Sequence, residues 1–281
     1  MTVAVVIPWR PGTPERNAHH ETVRARLAAL LPDAIHLHVD SGHAPFSRAG
    51  SRNEGVRQAE AAGADVVVLC DADTLPEAEP LHAAIEAARD GVMHLPYTHY
   101  RGLSKDGAAQ YLAGTPAAQC PADLEHEWAT GGVIVIQPAA WWAMGGMDET
   151  FTGWGFEDAA ARICADALLG PTVRHDGTIT HLWHPPESNL GSPQHIANGQ
   201  HCQRYVDATG DPDTLRALIA ERFVNAVMDD FDKRRITGHG TGDLSRGFAR
   251  LDHLDVHDVG TTSPITTSDL PEALRGTHWK P

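Results

Sequence analysis

The chain has few lysines, few cysteines and no long apolar run. Only three of its 22 basic residues are lysines, against 37 acidic residues, and the formal net charge is −15. A broadly acidic surface repels nucleic acid backbones and anionic membranes, which excludes proteins that bind either through a basic patch. Because no stretch of about 20 apolar residues exists, we expect no membrane-spanning helix. An acidic protein that handles a phosphorylated ligand needs a cation or focused arginines.

The cysteines are far apart in the sequence and form no Cys-x-x-Cys pair. This spacing does not fit a zinc site. Cys70 and Cys164 lie in apolar runs that are typical of buried thiols. A reducing, cytoplasmic location is therefore the simplest expectation. The apolar run at 3–7 has no charged leader before it and indicates a strand rather than a signal peptide.

Short apolar runs alternate with helical patterns over the first 100 residues. Strands are predicted at 3–7, 35–39, 64–70 and 92–95, and helices from Pro14 and over 48–62 and 80–89. Further strands are predicted at 133–136 and 179–183, and helices at 138–144 and 157–169. This alternation predicts an α/β fold with a mostly parallel sheet flanked by helices. In such a sheet the ligand lies beyond the carboxyl ends of the strands.

Two stretches depart from this alternation. Residues 97–129 lack periodicity and contain several glycines and prolines, so we predict a lid, a binding loop or a partly disordered segment there. We predict one α/β domain over 1–200 and a C-terminal extension over 201–281. The extension contains an amphipathic helix at 213–231, followed by an irregular tail.

The segment Asp71-Ala72-Asp73 directly follows the most apolar strand. Two carboxylates separated by one residue, at the ligand edge of a sheet, suit a hard divalent cation. Such an ion could bridge two phosphates and neutralise a leaving diphosphate. An isolated Asp-x-Asp is more often a turn or helix cap, but its position after this strand favours the metal interpretation.

The segment Phe151–Asp158 places two acids behind a Gly-Trp-Gly loop. Glu157 and Asp158 begin a predicted helix, where anionic side chains are favoured. The acids could be helix caps, or they could supply a general base and a partner that holds an acceptor.

Two histidines follow further along, in Thr180-His181-Leu182-Trp183-His184. On a strand, His181 and His184 would face opposite sides, so we expect one of them, with preference for His181, to complete a metal site. With 18 histidines in the chain, coincidence is a real alternative.

Arg48 and Arg52 are one helical turn apart at a helix start, a suitable place for a phosphate. A solvated helix face is the alternative for this arginine pair.

Five segments, taken in order, carry a family resemblance. They are Pro8-Trp9-Arg10, Phe46-Ser47-Arg48-Ala49 with Asn53 and Gly55, Asp71-Ala72-Asp73, Gly131-Gly132-Val133, and Thr152–Asp158. Together they resemble the β-1,4-galactosyltransferases and related GT-A glycosyltransferases. The segment around His181 is more similar to a Gly-His-aromatic strand of the polypeptide N-acetylgalactosaminyltransferases. Thr152 and Phe156 depart from the family's Trp and Gly, Ala159 and Ala160 replace further acids, and the family's Met and His metal ligands have no clean match.

The resemblance implies a GT-A (Rossmann-like) fold and a set of site roles. The donor-binding residues it implies are Pro8, Trp9, Arg10, Asp40, Phe46, Arg48, Asn53, Asp71, Ala72 and Gly132. The acceptor-binding residues are Trp154 and Gly155. Asp158 would be the general base with Glu157 beside it, and Asp73 and His181, with Asp71, would hold Mn²⁺ or Mg²⁺.

These roles imply a metal-dependent, inverting glycosyltransferase that moves a hexose from a UDP-linked donor to an acceptor hydroxyl. The acceptor, whether glycan, lipid, protein or small molecule, stays open, as does assembly into a homo-oligomer. A sugar nucleotidyltransferase is one alternative, disfavoured because segment 10–16 has one glycine and no lysine. A catalytically inactive carbohydrate-binding scaffold is the other, disfavoured by the intact acids at 71, 73, 157 and 158.

Overall fold

The computed structural model describes residues 1–185 and 191–222. The chain divides into two compact units, Met1–Cys202 and Gln203–Pro281. The strands are β1 Val3–Pro8, β2 Ile35–Val39, β3 Val66–Cys70, β4 Thr74–Pro76, β5 His94–Leu95, β6 His99–Leu103, β7 Ala122–His126, β8 Val133–Ile136, β9 Val173–Arg174 and β10 Thr178–His181. The α-helices are α1 Pro14–Leu30, α2 Arg48–Ala61, α3 Ala78–Ala87, α4 Lys105–Leu112, α5 Pro138–Ala143, α6 Glu157–Leu168 and α7 Pro193–Asp207.

The first sheet has six strands in the order β2-β1-β3-β8-β5-β9. Its pairings are parallel except at β8, which is antiparallel to both β3 and β5. Every residue of β3 and β8 is buried, as expected for apolar strands covered on both faces. The prediction of an α/β fold with a mostly parallel sheet is confirmed.

Helix α2 lies close against β1, and Gly55 allows this approach. A Cβ at Gly55 would lie only 2.1 Å from Cγ1 of Val6. Ser47 is the N-cap of the helix, because its side chain accepts a hydrogen bond from the Gly50 amide. The close contact fixes where the first turns of α2, with Arg48 and Arg52, meet the sheet.

A second sheet of four strands, in the order β4-β10-β6-β7, follows the carboxyl end of β3. The prediction of a lid, a binding loop or a partly disordered segment over 97–129 is wrong, because this stretch contains β6, α4 and β7. The apolar pattern failed here because β7 is polar and largely exposed, and a bulge interrupts its pairing with β6 at Gly102/Leu103. The connection from β3 into β4 places Asp71-Ala72-Asp73 where the two sheets meet.

The second unit is described only up to residue 222. Residues 212–222 are helical, in agreement with the start of the helix predicted at 213–231. Leu215 and Ile219 on this helix are buried. The remainder of the predicted helix and the predicted irregular tail lie outside the described residues. Within the described part of the chain, no helix combines the length and apolar character needed to cross a membrane.

Candidate active site

Three potential metal ligands meet where the two sheets join. Single ligand atoms of Asp73, His181 and His184 all lie within 4.8 Å of one another. The Nε2 atoms of His181 and His184 are each 3.5 Å from a different carboxylate oxygen of Asp73. Strand β10 pairs antiparallel with β4 and sets His181 opposite Thr74, directly after Asp73. Strand pairing therefore positions the first histidine beside the aspartate.

The expectation that His181 and His184 face opposite sides is wrong. Strand β10 ends at His181, so the alternation of a strand does not extend to His184. The Leu182 amide donates to the Asp73 carbonyl at 2.8 Å, which holds the segment after β10 beside the aspartate. Asp71, which we predicted as a further ligand, is not in this group. Its carboxylate accepts a hydrogen bond from Arg52 at 2.6 Å.

The donor set of two imidazoles and one carboxylate fits a divalent transition metal. Burial lowers the pKa of His181, which leaves the ring in the neutral form that ligates metals. Burial by itself would raise the pKa of Asp73, but His181, His184 and Arg16 hold it below its ordinary value. Imidazole nitrogen suits Mn²⁺ and its neighbours in the first transition row better than it suits Mg²⁺, which prefers oxygen.

Arg16 was not predicted as a site residue, yet its guanidinium is 3.7 Å from Asp73. It lies in the first turn of α1, where a positive charge opposes the helix dipole. An arginine at this unfavourable position of a predicted helix is the feature of the sequence that could have pointed to Arg16 as a site residue.

A buried arginine joins the Asp71–Asp73 segment to the start of α6. Arg52 is 1% exposed and donates to Asp71 at 2.6 Å and to Asp158 at 2.5 Å. A third contact goes to the Met147 sulfur at 3.2 Å. Because one guanidinium binds both carboxylates, Asp158 lies beside the same loop that supplies Asp73. The predicted base and the predicted metal ligand Asp73 therefore come from neighbouring segments.

Arg48 forms a second ion pair one helical turn earlier. Its guanidinium contacts the carboxylate of Glu157, which is 4% exposed. The carboxylates of Asp71, Glu157 and Asp158 outnumber the two guanidinium groups of Arg48 and Arg52 by one. Burial, with this surplus of negative charge, raises the pKa of Asp71 and Glu157 above their ordinary values. The net negative charge of these five side chains therefore favours the binding of an additional positive charge nearby.

Gly131 leaves the space that Asp158 occupies. A Cβ on Gly131 would lie 2.1 Å from Oδ2 of Asp158. The Gly131 carbonyl accepts a hydrogen bond of 2.6 Å from the buried Tyr97 hydroxyl, which fixes this backbone. Asp158 keeps 26% of its side chain exposed, so its carboxylate remains within reach of a ligand.

The predicted donor-binding residues at the ends of β1 and β2 form one group. Arg10 donates to both carboxylate oxygens of Asp40, at 2.6 and 2.7 Å, and its guanidinium lies 5.3 Å from the Phe46 ring centroid. The pairing lowers the pKa of the Asp40 carboxyl. Trp9 instead stacks on His20, with ring centroids 4.1 Å apart and planes within 2°.

Other predicted donor-binding residues lie near the Asp71–Asp73 loop. The carbonyl of Gly132 accepts from the Asp71 amide at 2.8 Å. Ala72 is 8% exposed, and Pro8 pairs with Val39 in the sheet. These three residues would contact a ligand chiefly through their backbone atoms.

Asn53 has a structural role instead of the predicted donor-binding role. It is 4% exposed, and its amide nitrogen donates to the Met147 carbonyl and to Glu149. Its amide oxygen accepts from the Met147 amide and the Trp141 indole. All of its hydrogen-bonding capacity is used to tie α2 to the segment after α5, so none is left for a nucleotide.

The predicted acceptor-binding loop lies against α7. Trp154 is 41% exposed and stacks on His195, with planes within 10° and ring centroids 5.7 Å apart. Gly155 and Phe156 both have positive φ, and Phe156 is the only such non-glycine residue in the described part of the chain. Asn198, which the sequence did not single out, donates to the Thr152 carbonyl at 2.9 Å and holds the loop.

A family model described as the N-terminal domain of galactosyltransferase matches residues 115–184. The matched segment contains β7, β8, α5, α6 and β10, and therefore Asp158, His181 and His184. This match agrees with the resemblance to GT-A glycosyltransferases that the sequence motifs carry, over about a quarter of the chain. No curated protein matches it.

Several solved structures of glycosyltransferases are similar to this chain at low sequence identity. The catalytic domain of Drosophila β-1,4-galactosyltransferase 7, in complex with xylobiose, is 15% identical with a TM-score of 0.47, covering 73% of this chain and 80% of that one. GalNAc-T7 with UDP, GalNAc and Mn²⁺ is 14% identical with a TM-score of 0.46, covering 90% and 54%. Mycobacterium tuberculosis glucosyl-3-phosphoglycerate synthase with Mn²⁺ and UDP is 12% identical with a TM-score of 0.39, covering 74% and 80%.

Proposed function

We propose that this protein is a metal-dependent, inverting glycosyltransferase that moves a sugar from a UDP-linked donor to an acceptor hydroxyl. One observation carries the proposal. Arg52 binds Asp158 and Asp71 together, so the candidate base lies beside the loop that supplies Asp73 to the candidate metal site. UDP as the nucleotide, and a cytoplasmic location, stay predictions from the sequence motifs and the cysteine pattern.

Asp73, His181 and His184 would hold the cation. A bound divalent cation neutralises charge on a departing diphosphate. Arg16, 3.7 Å from Asp73, lies where its guanidinium can add positive charge for the same phosphates. Arg10, Asp40 and Phe46 form the group at the ends of β1 and β2 where a nucleotide base and ribose would bind.

Asp158 takes the proton of the acceptor hydroxyl. Its Oδ1 accepts from Arg52, and within the described residues its Oδ2 accepts no hydrogen bond, so Oδ2 is the oxygen that can receive the proton. The deprotonated acceptor oxygen then attacks the anomeric carbon from the face opposite the diphosphate, which inverts the configuration. Trp154, with its exposed ring, would pack on an acceptor sugar.

A panel of nucleotide sugars, with and without Mn²⁺, tests donor binding by thermal shift. We expect stabilisation by a UDP-sugar only with the metal, since a ligand that binds the folded state raises its melting temperature. Release of pyrophosphate from a nucleoside triphosphate would favour the nucleotidyltransferase alternative instead. Failure of every nucleotide sugar to stabilise the protein would contradict donor binding.

Asp158→Asn tests the base directly. A general base contributes about 10²–10⁴-fold to rate, so this variant should lose that much turnover while its donor affinity stays unchanged. Asp106→Asn is a matched control, because Asp106 also lies in the first turn of a helix but on an exposed surface. Normal transfer by Asp158→Asn would remove Asp158 as the base.

A further inference from the structure

The second sheet has a polar face on the side opposite to His181. Neighbouring residues of a strand point to opposite faces, so Thr180 and His181 lie on different sides of β10. Thr178 and Thr180 pair with His99 and Arg101 of β6, and Arg101 pairs with Glu125 of β7. These five side chains form a polar surface that faces away from the candidate active site.

This surface is the floor of a cavity of about 530 Å³. Small-molecule sites in proteins occupy roughly 300–1,000 Å³. The rest of the lining is partly apolar and includes Leu75, Pro76, Ala117, Ala118 and Tyr111. A polar floor with apolar walls suits a ligand that has both hydroxyl groups and C–H faces.

The charges in the cavity balance. Two guanidinium groups, of Arg26 and Arg101, are matched by two carboxylates, of Glu77 and Glu125. Arg101 is built into the floor, because it donates to Glu125 at 2.8 Å and to the Cys120 carbonyl at 2.6 Å. The two carboxylates in the lining would repel a phosphorylated ligand, which disfavours such a ligand.

The guanidinium of Arg26 can donate hydrogen bonds to a ligand in the cavity. Within residues 1–185 and 191–222, its guanidinium makes no hydrogen bond or ion pair. It projects from α1 toward a floor that already carries two threonine hydroxyls. A free guanidinium beside hydroxyl groups can bind the oxygens of a neutral polyol without requiring a negative charge.

We propose that this cavity, which we name the Thr180 cavity after its floor residue, is a second carbohydrate-binding site that takes a neutral oligosaccharide. It lies on the opposite face of the sheet from Asp73, His181 and His184, so it holds a sugar chain rather than the donor. The site goes beyond the proposed transfer reaction and does not depend on it.

The test measures binding of xylobiose, chitobiose and lactose to the full chain by saturation-transfer NMR and calorimetry. No nucleotide or metal is present in the first series, and saturating UDP with Mn²⁺ is present in the second. We expect at least one disaccharide to bind equally in both series. Failure of all three to bind, or displacement of the sugar by UDP and Mn²⁺, would overturn the proposal.

Arg26→Met locates the site within the molecule. Loss of a charge-assisted hydrogen bond should weaken binding about tenfold. Arg24→Met is the matched control, because Arg24 lies on the same helix and pairs with Glu21 outside the cavity. Thr178→Val provides a second cavity variant with little change in volume. Wild-type affinity in both cavity variants, or tighter binding of inorganic phosphate than of the sugar, would contradict a neutral carbohydrate site.

The experiments can contradict either proposal without contradicting the other. Asp158→Asn should abolish transfer and leave disaccharide binding in the Thr180 cavity intact. Arg26→Met should weaken that binding and leave metal-dependent donor binding unchanged.

Discussion

Replacement of Arg52 by methionine should destabilise the protein strongly. The variant removes the one guanidinium that binds both Asp71 and Asp158, while the methionine retains much of the buried volume. Loss of one partner of a buried ion pair costs about 3–5 kcal/mol. The side chains of Asp71 and Asp158 keep 20% and 26% exposure, so water can partly solvate them, and we expect a loss near the lower limit.

Urea unfolding measures this loss. A decrease of about 3 kcal/mol is large beside the total stability of about 5–15 kcal/mol of a folded protein, so the midpoint should shift clearly. Arg57→Met on the same helix is the control, because Arg57 forms an exposed pair with Glu54, and such pairs contribute at most about 1 kcal/mol. The difference between the two variants should shrink as the pH falls, since a protonated Asp71 carboxyl no longer needs the positive charge of the guanidinium.

Equal, small losses in Arg52→Met and Arg57→Met would refute this account of the cluster. So would a difference between them that stays constant down to low pH, because it would show that the guanidinium does not act through the carboxylates. Arg52→Lys separates charge from geometry. A single ammonium cannot bind both carboxylates in the forked arrangement of arginine, so we expect only partial recovery.

Two further predictions use different parts of the chain. Burial lowers the pKa of His20 from 6.5 to about 4, so the unfolded chain takes up a proton first, and stability should fall as the pH drops from about 6.5 toward about 4. Melting temperatures against pH should show this fall in the wild type and a smaller one in His20→Phe; identical profiles would exclude His20 as its source. Gly131→Ala should displace the Asp158 carboxylate and lower turnover about 100-fold, as a misplacement of about 1 Å can, with donor affinity retained. Steady-state kinetics of Gly131→Ala and of the control Gly12→Ala check this prediction, because a Cβ at Gly12 would meet Cβ of Arg16 at an ordinary contact distance of 3.8 Å. Unchanged turnover in Gly131→Ala would contradict the assigned place of Asp158.

The first sheet was predictable because its strands are continuous apolar runs. Two of these strands, Val66–Cys70 and Val133–Ile136, are buried along their whole length. A strand that is covered on both faces needs apolar side chains at every position, so it appears in the sequence as an unbroken apolar run. The second sheet was not predictable in the same way. Ala122–His126 pairs through its backbone while its side chains are mostly polar and exposed, so the sequence carries little apolar periodicity there.

The sequence motifs predicted which residues belong to the candidate site, but not which of them contact one another. The position of Asp73 after a buried strand indicated a metal ligand, whereas the role of His184 depends on where β10 ends. Arg52 stood out only as a helical neighbour of Arg48. Its binding of two carboxylates from separate segments, 19 and 106 residues away, is a tertiary contact that no local pattern contains.

The proposed mechanism requires Asp73, His181 and His184 to hold the cation together. Electron spin-echo spectroscopy of the protein with one equivalent of Mn²⁺ tests it most directly, because nitrogen coupling reports imidazole ligands. We expect coupling to two imidazole nitrogens in the wild type, coupling to one in His181→Ala or His184→Ala, and loss of Mn²⁺ binding in Asp73→Ala. Absence of nitrogen coupling in the wild type, or an unchanged spectrum in His184→Ala, would contradict it.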